Sequence, residues 1–227
     1  MSDILETFYA IDFDRCLSDT NRLNDIFYAV VGRYKEIDVD RLKQKRKEVE
    51  EPGGTYDQTV LLRELLSTDQ LVELLEAFQA EAKQYGVLTA GSAELLGAIE
   101  ARGFAFGIVS YGSIAWQSAK IKASGLEQLP SMIIDHKEKG KVIAQWQQPD
   151  KTFVIPAGLF LDGISRRAKT VVLIDDKASA FPGLPKEARG YWMQSTTEPL
   201  LPSQVGTVPE NVKIAHGMHE IVTFETL

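Results

Sequence analysis

Three short stretches of the sequence are almost wholly apolar: 8–13 (FYAIDF), 104–109 (FAFGIV) and 170–174 (TVVLI), each followed by polar or turn-forming residues. Runs of this length, rich in β-branched and aromatic residues, predict strands buried on both faces, as in a parallel sheet. Between the first two the period changes. Leu71, Leu74, Leu75 and Phe78 recur at helical spacing behind Ser67 and Thr68, either of which suits an N-cap. Helices are predicted over 24–34, 38–51, 56–66 and 68–85, with a loop at Pro52-Gly53-Gly54. Beyond Gly91 the pattern predicts helices over 92–101, 113–124 and 157–167 and a strand over 132–134. It also predicts a strand or hairpin arm over 141–146, turning at Lys139-Gly140, and strands over 191–194 and 212–215 joined by a Pro-rich loop. The reading is an α/β, Rossmann-like parallel sheet with helices on both faces, interrupted after its first strand by an all-helical insertion.

Composition narrows the function. The 227 residues carry 25 basic and 32 acidic side chains, a formal charge of −7, with 44% hydrophobic residues. That supports one large domain, or a core domain with an insertion, and argues against sequence-independent nucleic-acid binding, which needs Lys and Arg to neutralise phosphates. Arg41, Lys43, Lys45, Arg46 and Lys47 are followed by Glu48, Glu50 and Glu51, and are read as a solvated helix face. The single cysteine, Cys16, suits a reducing compartment. No basic-then-apolar leader opens the chain, and no apolar run approaches the ~20 residues that span a bilayer. A cytoplasmic protein with neither membrane nor nucleic-acid partner is expected; the sequence sets no oligomeric state.

Candidate chemistry lies just past the strands, where open α/β sheets gather their ligands. Asp12 and Asp14 leave the first strand on one side, at i and i+2. Asp175-Asp176 follow TVVLI. Adjacent carboxylates repel unless a cation neutralises them, and a hard cation such as Mg2+ prefers oxygen donors. Ser110, ahead of Tyr111 and Gly112 at a strand-to-helix turn, is placed to hold a phosphate oxygen together with nearby backbone amides. A lysine would complete the charge balance, and Lys137, Lys139, Lys141 and Lys151 are the candidates.

In this order the motifs resemble those of the haloacid dehalogenase-like hydrolase superfamily. AIDFDRCLSDT (10–20) is similar to its D-x-D motif, GIVSYGS (107–113) to its strand ending in Ser or Thr, and VVLIDD (171–176) to its strand ending in an acidic pair. Cys16 stands where the family usually has Thr or Val. Gly140-Lys141 most resembles the family's Gly-Lys stretch, although Val142 replaces the proline that often follows. The resemblance implies a core of 1–19 and 87–227 beneath a helical cap of 20–86. It implies Asp12 as nucleophile, Asp14 as general acid and base, and Mg2+ held by Asp12, Asp14 (through its backbone carbonyl) and Asp175 or Asp176. Ser110, Tyr111, Gly112 and Lys141 would then bind the transferring phosphoryl group. The second Asp of the motif places the chain with the phosphatase branch, acting on a small phosphorylated metabolite. The rivals are a non-catalytic or regulatory phosphate-binding protein of the same fold, and a receiver-like module, which is shorter and keeps its phospho-acceptor on a middle strand.

Overall fold

A computed structural model describes residues 4–52, 54–194 and 206–227. Among these, seven strands form one sheet: β1 (Leu5–Ile11), β2 (Ala105–Tyr111), β3 (Ser131–Ile134), β4 (Phe153–Ile155), β5 (Arg166–Asp175), β6 (Arg189–Met193) and β7 (Val212–Ala215). The order is β3-β2-β1-β5-β6-β7. All of these neighbours pair in parallel, and β4 alone runs antiparallel, on the start of β5. Successive residues of β1 serve opposite faces. Tyr9 and Ile11 join a core with Val172, Ile174 and Tyr191, while Phe8 and Ala10 join another with Val171, Leu173 and Trp192. This two-sided burial is why the strand lacks polar alternation.

Four helices follow β1 in the helical segment: α1 (Thr20–Val31), α2 (Val39–Glu50), α3 (Gln58–Leu65) and α4 (Thr68–Tyr85). Their starts are fixed by local chemistry. Asp19, Asp38 and Asp57 accept hydrogen bonds from the first-turn amides of α1, α2 and α3, and Ser67 forms a reciprocal capping box with Gln70 on α4. Then come α5 (Ser92–Ala101), α6 (Ile114–Ala123, capped by Ser113), α7 (Lys139–Trp146) and α8 (Met218–Phe224). Leu23, Phe27, Leu74 and Phe78 of the helical segment share one core with Trp116 of α6.

Two predicted elements differ. Residues 141–146 belong to helix α7 rather than to a strand, with Ile143 and Trp146 buried one turn apart. A run this short satisfies either period, so only its packing decides. Residues 157–167 do not form a helix: one 3-10 turn at Ala157–Leu159 gives way to a loop and then to β5. Pro156 opens that turn, and Gly163 sits at φ +66, a conformation that stops a helix. Gly53 and most of the Pro-rich loop lie outside the described residues. No described helix is long and apolar enough to cross a membrane.

Candidate active site

The parallel register fixes the first contact. Ile11 pairs with Ile174, and the Asp12 amide bonds to the Ile174 carbonyl at 2.8 Å, so Asp12 and Asp175 leave neighbouring strand ends together. Carboxylate oxygens of Asp12, Asp175 and Asp176 all lie within 4.8 Å of one another, and all three residues are buried. The Asp175 carboxylate also accepts from the Lys177 amide at 2.8 Å. The Asp176 carbonyl accepts from the Trp192 indole at 3.1 Å, which ties the acidic turn to β6.

The lysine of this cluster is Lys139. Its ammonium reaches Asp12 at 2.5 Å and Asp175 at 2.6 Å, with only 3% of the side chain exposed. Lys141, the lysine preferred on sequence, turns outward to Glu138 at 2.8 Å. The preference for Lys141 rested on the likeness of Gly140-Lys141 to the family's Gly-Lys stretch; in helix α7, residues two apart sit about 200° apart around the axis, so Lys139 and Lys141 face opposite ways. Lys151 is also outside, paired with Glu187.

Three carboxylates thus face the buried Lys139 ammonium, and they act on Lys177 as well: burial works against its charge, but Asp176, Asp12 and Asp175 outweigh that and raise the amine. Burial, opposed by Lys139 but reinforced by Asp175, Asp176 and Asp14, pushes the Asp12 carboxyl up to about 8. Burial works against the Lys139 charge too, yet Asp12 and Asp175 outweigh it and hold the amine above its ordinary range. A site of hard oxygen donors short of positive charge fits a divalent cation. Asp12, Asp175 and Asp176 are the residues that would hold one. Burial raises the Cys16 thiol well above its ordinary range, so it has none of the thiolate character that nucleophilic catalysis needs.

Asp14 stands apart from the cluster. The chain turns sharply between Phe13 and Ser18, with Arg15 at φ +61, and this sends the Asp14 carboxylate toward α6. There it accepts from Lys120 at 2.6 Å on both oxygens, from Gln117 at 3.0 Å and from Thr20 at 3.1 Å. Burial would raise its carboxyl, but Lys120 and Gln117 outweigh that and hold it down at about 2. Sequence reading missed Lys120 and Gln117; their i, i+3 spacing on α6, shortly beyond Ser110, was the signal available.

Ser110, the penultimate residue of β2, has its hydroxyl buried and without a hydrogen-bond partner, an orphan polar atom that a ligand oxygen would satisfy. Gly112 is not available for a phosphate in the way expected, because its amide already bonds to the Ile134 carbonyl at 3.2 Å. It is needed as glycine all the same: φ is +144, and a Cβ would sit 3.0 Å from Gln117 Nε2. Two connected spaces open here. A small compartment is lined by Asp12, Lys139 and Asp175, and a cleft of about 310 Å³ by residues of α1, α2, α6 and the loop before α3. Asp14, Tyr111, Lys137 and Lys177 line both and so form the neck between them.

No protein-family model matches the sequence, and no curated protein matches it. Solved structures do. A haloacid dehalogenase-like hydrolase from Burkholderia xenovorans LB400 is 18% identical, with 96% of this chain and 98% of that chain covered at a TM-score of 0.64. The HAD-hydrolase YfnB from Bacillus subtilis, bound to magnesium, is 16% identical over 99% of this chain and 100% of that one, at 0.51. A β-phosphoglucomutase-type protein from Thermotoga maritima is 14% identical over 98% and 99%, also at 0.51. The chain therefore has the fold of the haloacid dehalogenase-like hydrolases, in agreement with the resemblance carried by its three motifs.

Proposed function

We propose that the protein is a Mg2+-dependent phosphatase acting on a small phosphorylated metabolite through an aspartyl-phosphate on Asp12. The observation that carries this reading is the buried set Asp12, Asp175, Asp176 and Lys139 at the carboxyl ends of β1 and β5. Mg2+ would supply charge neutralisation there. A carboxylate oxygen of Asp12 forms a bond to phosphorus as the bridging P–O bond breaks, and the leaving oxygen takes a proton from Asp14. The Asp14 carboxyl, held down at about 2 in the free site, gains that proton from solvent when the anionic phosphoryl group binds beside it and raises it. Water then attacks phosphorus, gives a proton back to Asp14 and frees Asp12 and inorganic phosphate.

Lys139 binds the phosphoryl oxygens in the small compartment, with Lys137 and Lys177 adding positive charge at the neck, and the unpartnered Ser110 hydroxyl is the further donor proposed for them. The 310 Å³ cleft receives the leaving group, which fits a metabolite rather than a polymer. Helices α1–α4 act as a cap, since Asn24, Arg46, Glu50 and Tyr56 supply one wall of that cleft. The test is turnover of 4-nitrophenyl phosphate and a panel of metabolite phosphates, with Mg2+ and with EDTA. Wild type is expected to turn over only with the metal and Asp12→Asn not at all; Asp12→Asn retaining wild-type turnover would refute the assignment.

A further inference from the structure

On the phosphatase reading, Asp14 must exchange a proton with the leaving oxygen, yet its carboxylate is already fully engaged. A carboxylate offers about four lone-pair sites. One Asp14 oxygen accepts from Lys120 and Thr20, and the other from Lys120 and Gln117. Lys120 is fixed in turn: its side chain is 5% exposed and its ammonium lies 5.7 Å from the Phe13 ring and 5.8 Å from the Trp116 ring. The helix that carries Lys120 and Gln117 is itself fastened to the helical segment. Ser113 donates to Asp57, the cap of α3, at 2.5 Å. Trp116 stacks on Phe78 of α4 at 6.0 Å and meets Phe27 of α1 edge-on at 4.7 Å.

We propose that Lys120 is a positioning residue: it holds Asp14 at the neck between the phosphoryl compartment and the leaving-group cleft, and α6 carries that hold from the helices above the site. The leaving oxygen reaches Asp14 by displacing a neutral donor, Gln117 or Thr20, whereas the charge-assisted bonds to Lys120 persist and keep the carboxylate oriented. Lys120 lines the leaving-group cleft, and the role assigned to it is exerted through the Asp14 carboxylate.

The experiment compares Mg2+-loaded wild type, Lys120→Met, Lys120→Arg and Asp14→Asn on aryl phosphates of graded leaving-group basicity and on one alkyl phosphate. Proton donation matters little for 4-nitrophenolate and greatly for an alkoxide. Lys120→Met is expected to lower kcat at least tenfold on the alkyl phosphate but less than threefold on 4-nitrophenyl phosphate, with KM little changed. Lys120→Arg, which presents a fork to both oxygens, restores most of the loss, and Lys120→Met adds nothing to Asp14→Asn. Equal losses on all substrates, a change in KM alone, or a gain on the alkyl phosphate would overturn the proposal. If Asp14→Asn shows the leaving-group dependence while Lys120→Met does not, only this inference falls. A wild type inert toward every phosphate ester overturns the phosphatase reading and this inference with it. Should Lys120→Met not fold, Lys120→Gln gives the same comparison with the cavity filled.

Discussion

Lys139→Met removes the ammonium that bridges Asp12 and Asp175 at 2.5 and 2.6 Å, where the two carboxylate side chains are 8% and 2% exposed. Methionine keeps much of the stem's apolar packing, so the loss is electrostatic. Taking one partner from a buried ion pair costs roughly 3–5 kcal/mol, because the other charge stays buried without compensation. In a chain of this size about 2–4 °C of melting temperature follows each kcal/mol, giving a drop of roughly 6–20 °C. Lys141→Met is the control. Its amine pairs with Glu138 at the surface, a contact of about 0–1 kcal/mol, so its melting temperature should move by a few degrees at most.

The assay is thermal unfolding followed by circular dichroism, in EDTA, at pH 5 and pH 8. The sign with pH follows from Asp12. Its carboxyl is raised from an ordinary value of 3.8 to about 8, so its contribution to stability is full below the lower value and lost as pH rises through the upper one. The cluster is therefore most in need of its ammonium near pH 8, and the gap between wild type and Lys139→Met should widen there and narrow at pH 5. Equal melting temperatures for the two lysine variants, or a larger drop in Lys141→Met, would refute the placement of Lys139.

Two other variants probe what surrounds the site. Glu225 accepts from Tyr9, Tyr191 and Arg189 at 2.6–2.9 Å and ties α8 to β1 and β6. Glu225→Gln should lower stability by about 1.5–3 kcal/mol at pH 7 in urea unfolding. Burial tends to raise the Glu225 carboxyl, but Arg189 and Tyr191 outweigh it and the group lies below its ordinary 4.5. Its contribution is thus present above 4.5 and disappears as pH falls through the depressed value, so the difference from wild type should close in acid. Gly140→Ala should destabilise by about 1–3 kcal/mol and reduce turnover, since a Cβ would lie 2.6 Å from the Phe181 carbonyl and 2.7 Å from Leu184 N, forcing α7 and Lys139 away. Urea midpoints and initial rates check both effects.

What the sequence revealed depended on how far each signal was local. Strands β1, β2 and β5 are buried on both faces, and the unbroken apolar runs announce that directly. The Ser67 cap and the Leu71–Phe78 spacing likewise mark α4 without reference to anything outside it. The acidic residues were legible for the same reason, because their chemistry follows from where a strand ends. Lys139 was not, since choosing it over Lys141 requires knowing that 139–146 is helical, and a short apolar run does not decide that. The role of α6 was equally hidden. Lys120 and Gln117 lie more than 100 residues from Asp14, and only the packing of Trp116 under the helical segment turns them toward it. Gly112 shows the reverse case, a residue singled out for phosphate binding whose amide instead bonds to the Ile134 carbonyl of β3.

The most direct test is to quench the enzyme during turnover of a 32P-labelled phosphate ester and map the label. The account predicts an acid-stable, hydroxylamine-labile phosphoryl group on the peptide that contains Asp12, formed only with Mg2+ present. Label on another residue, or steady turnover with no covalent label at any quench time, would contradict it.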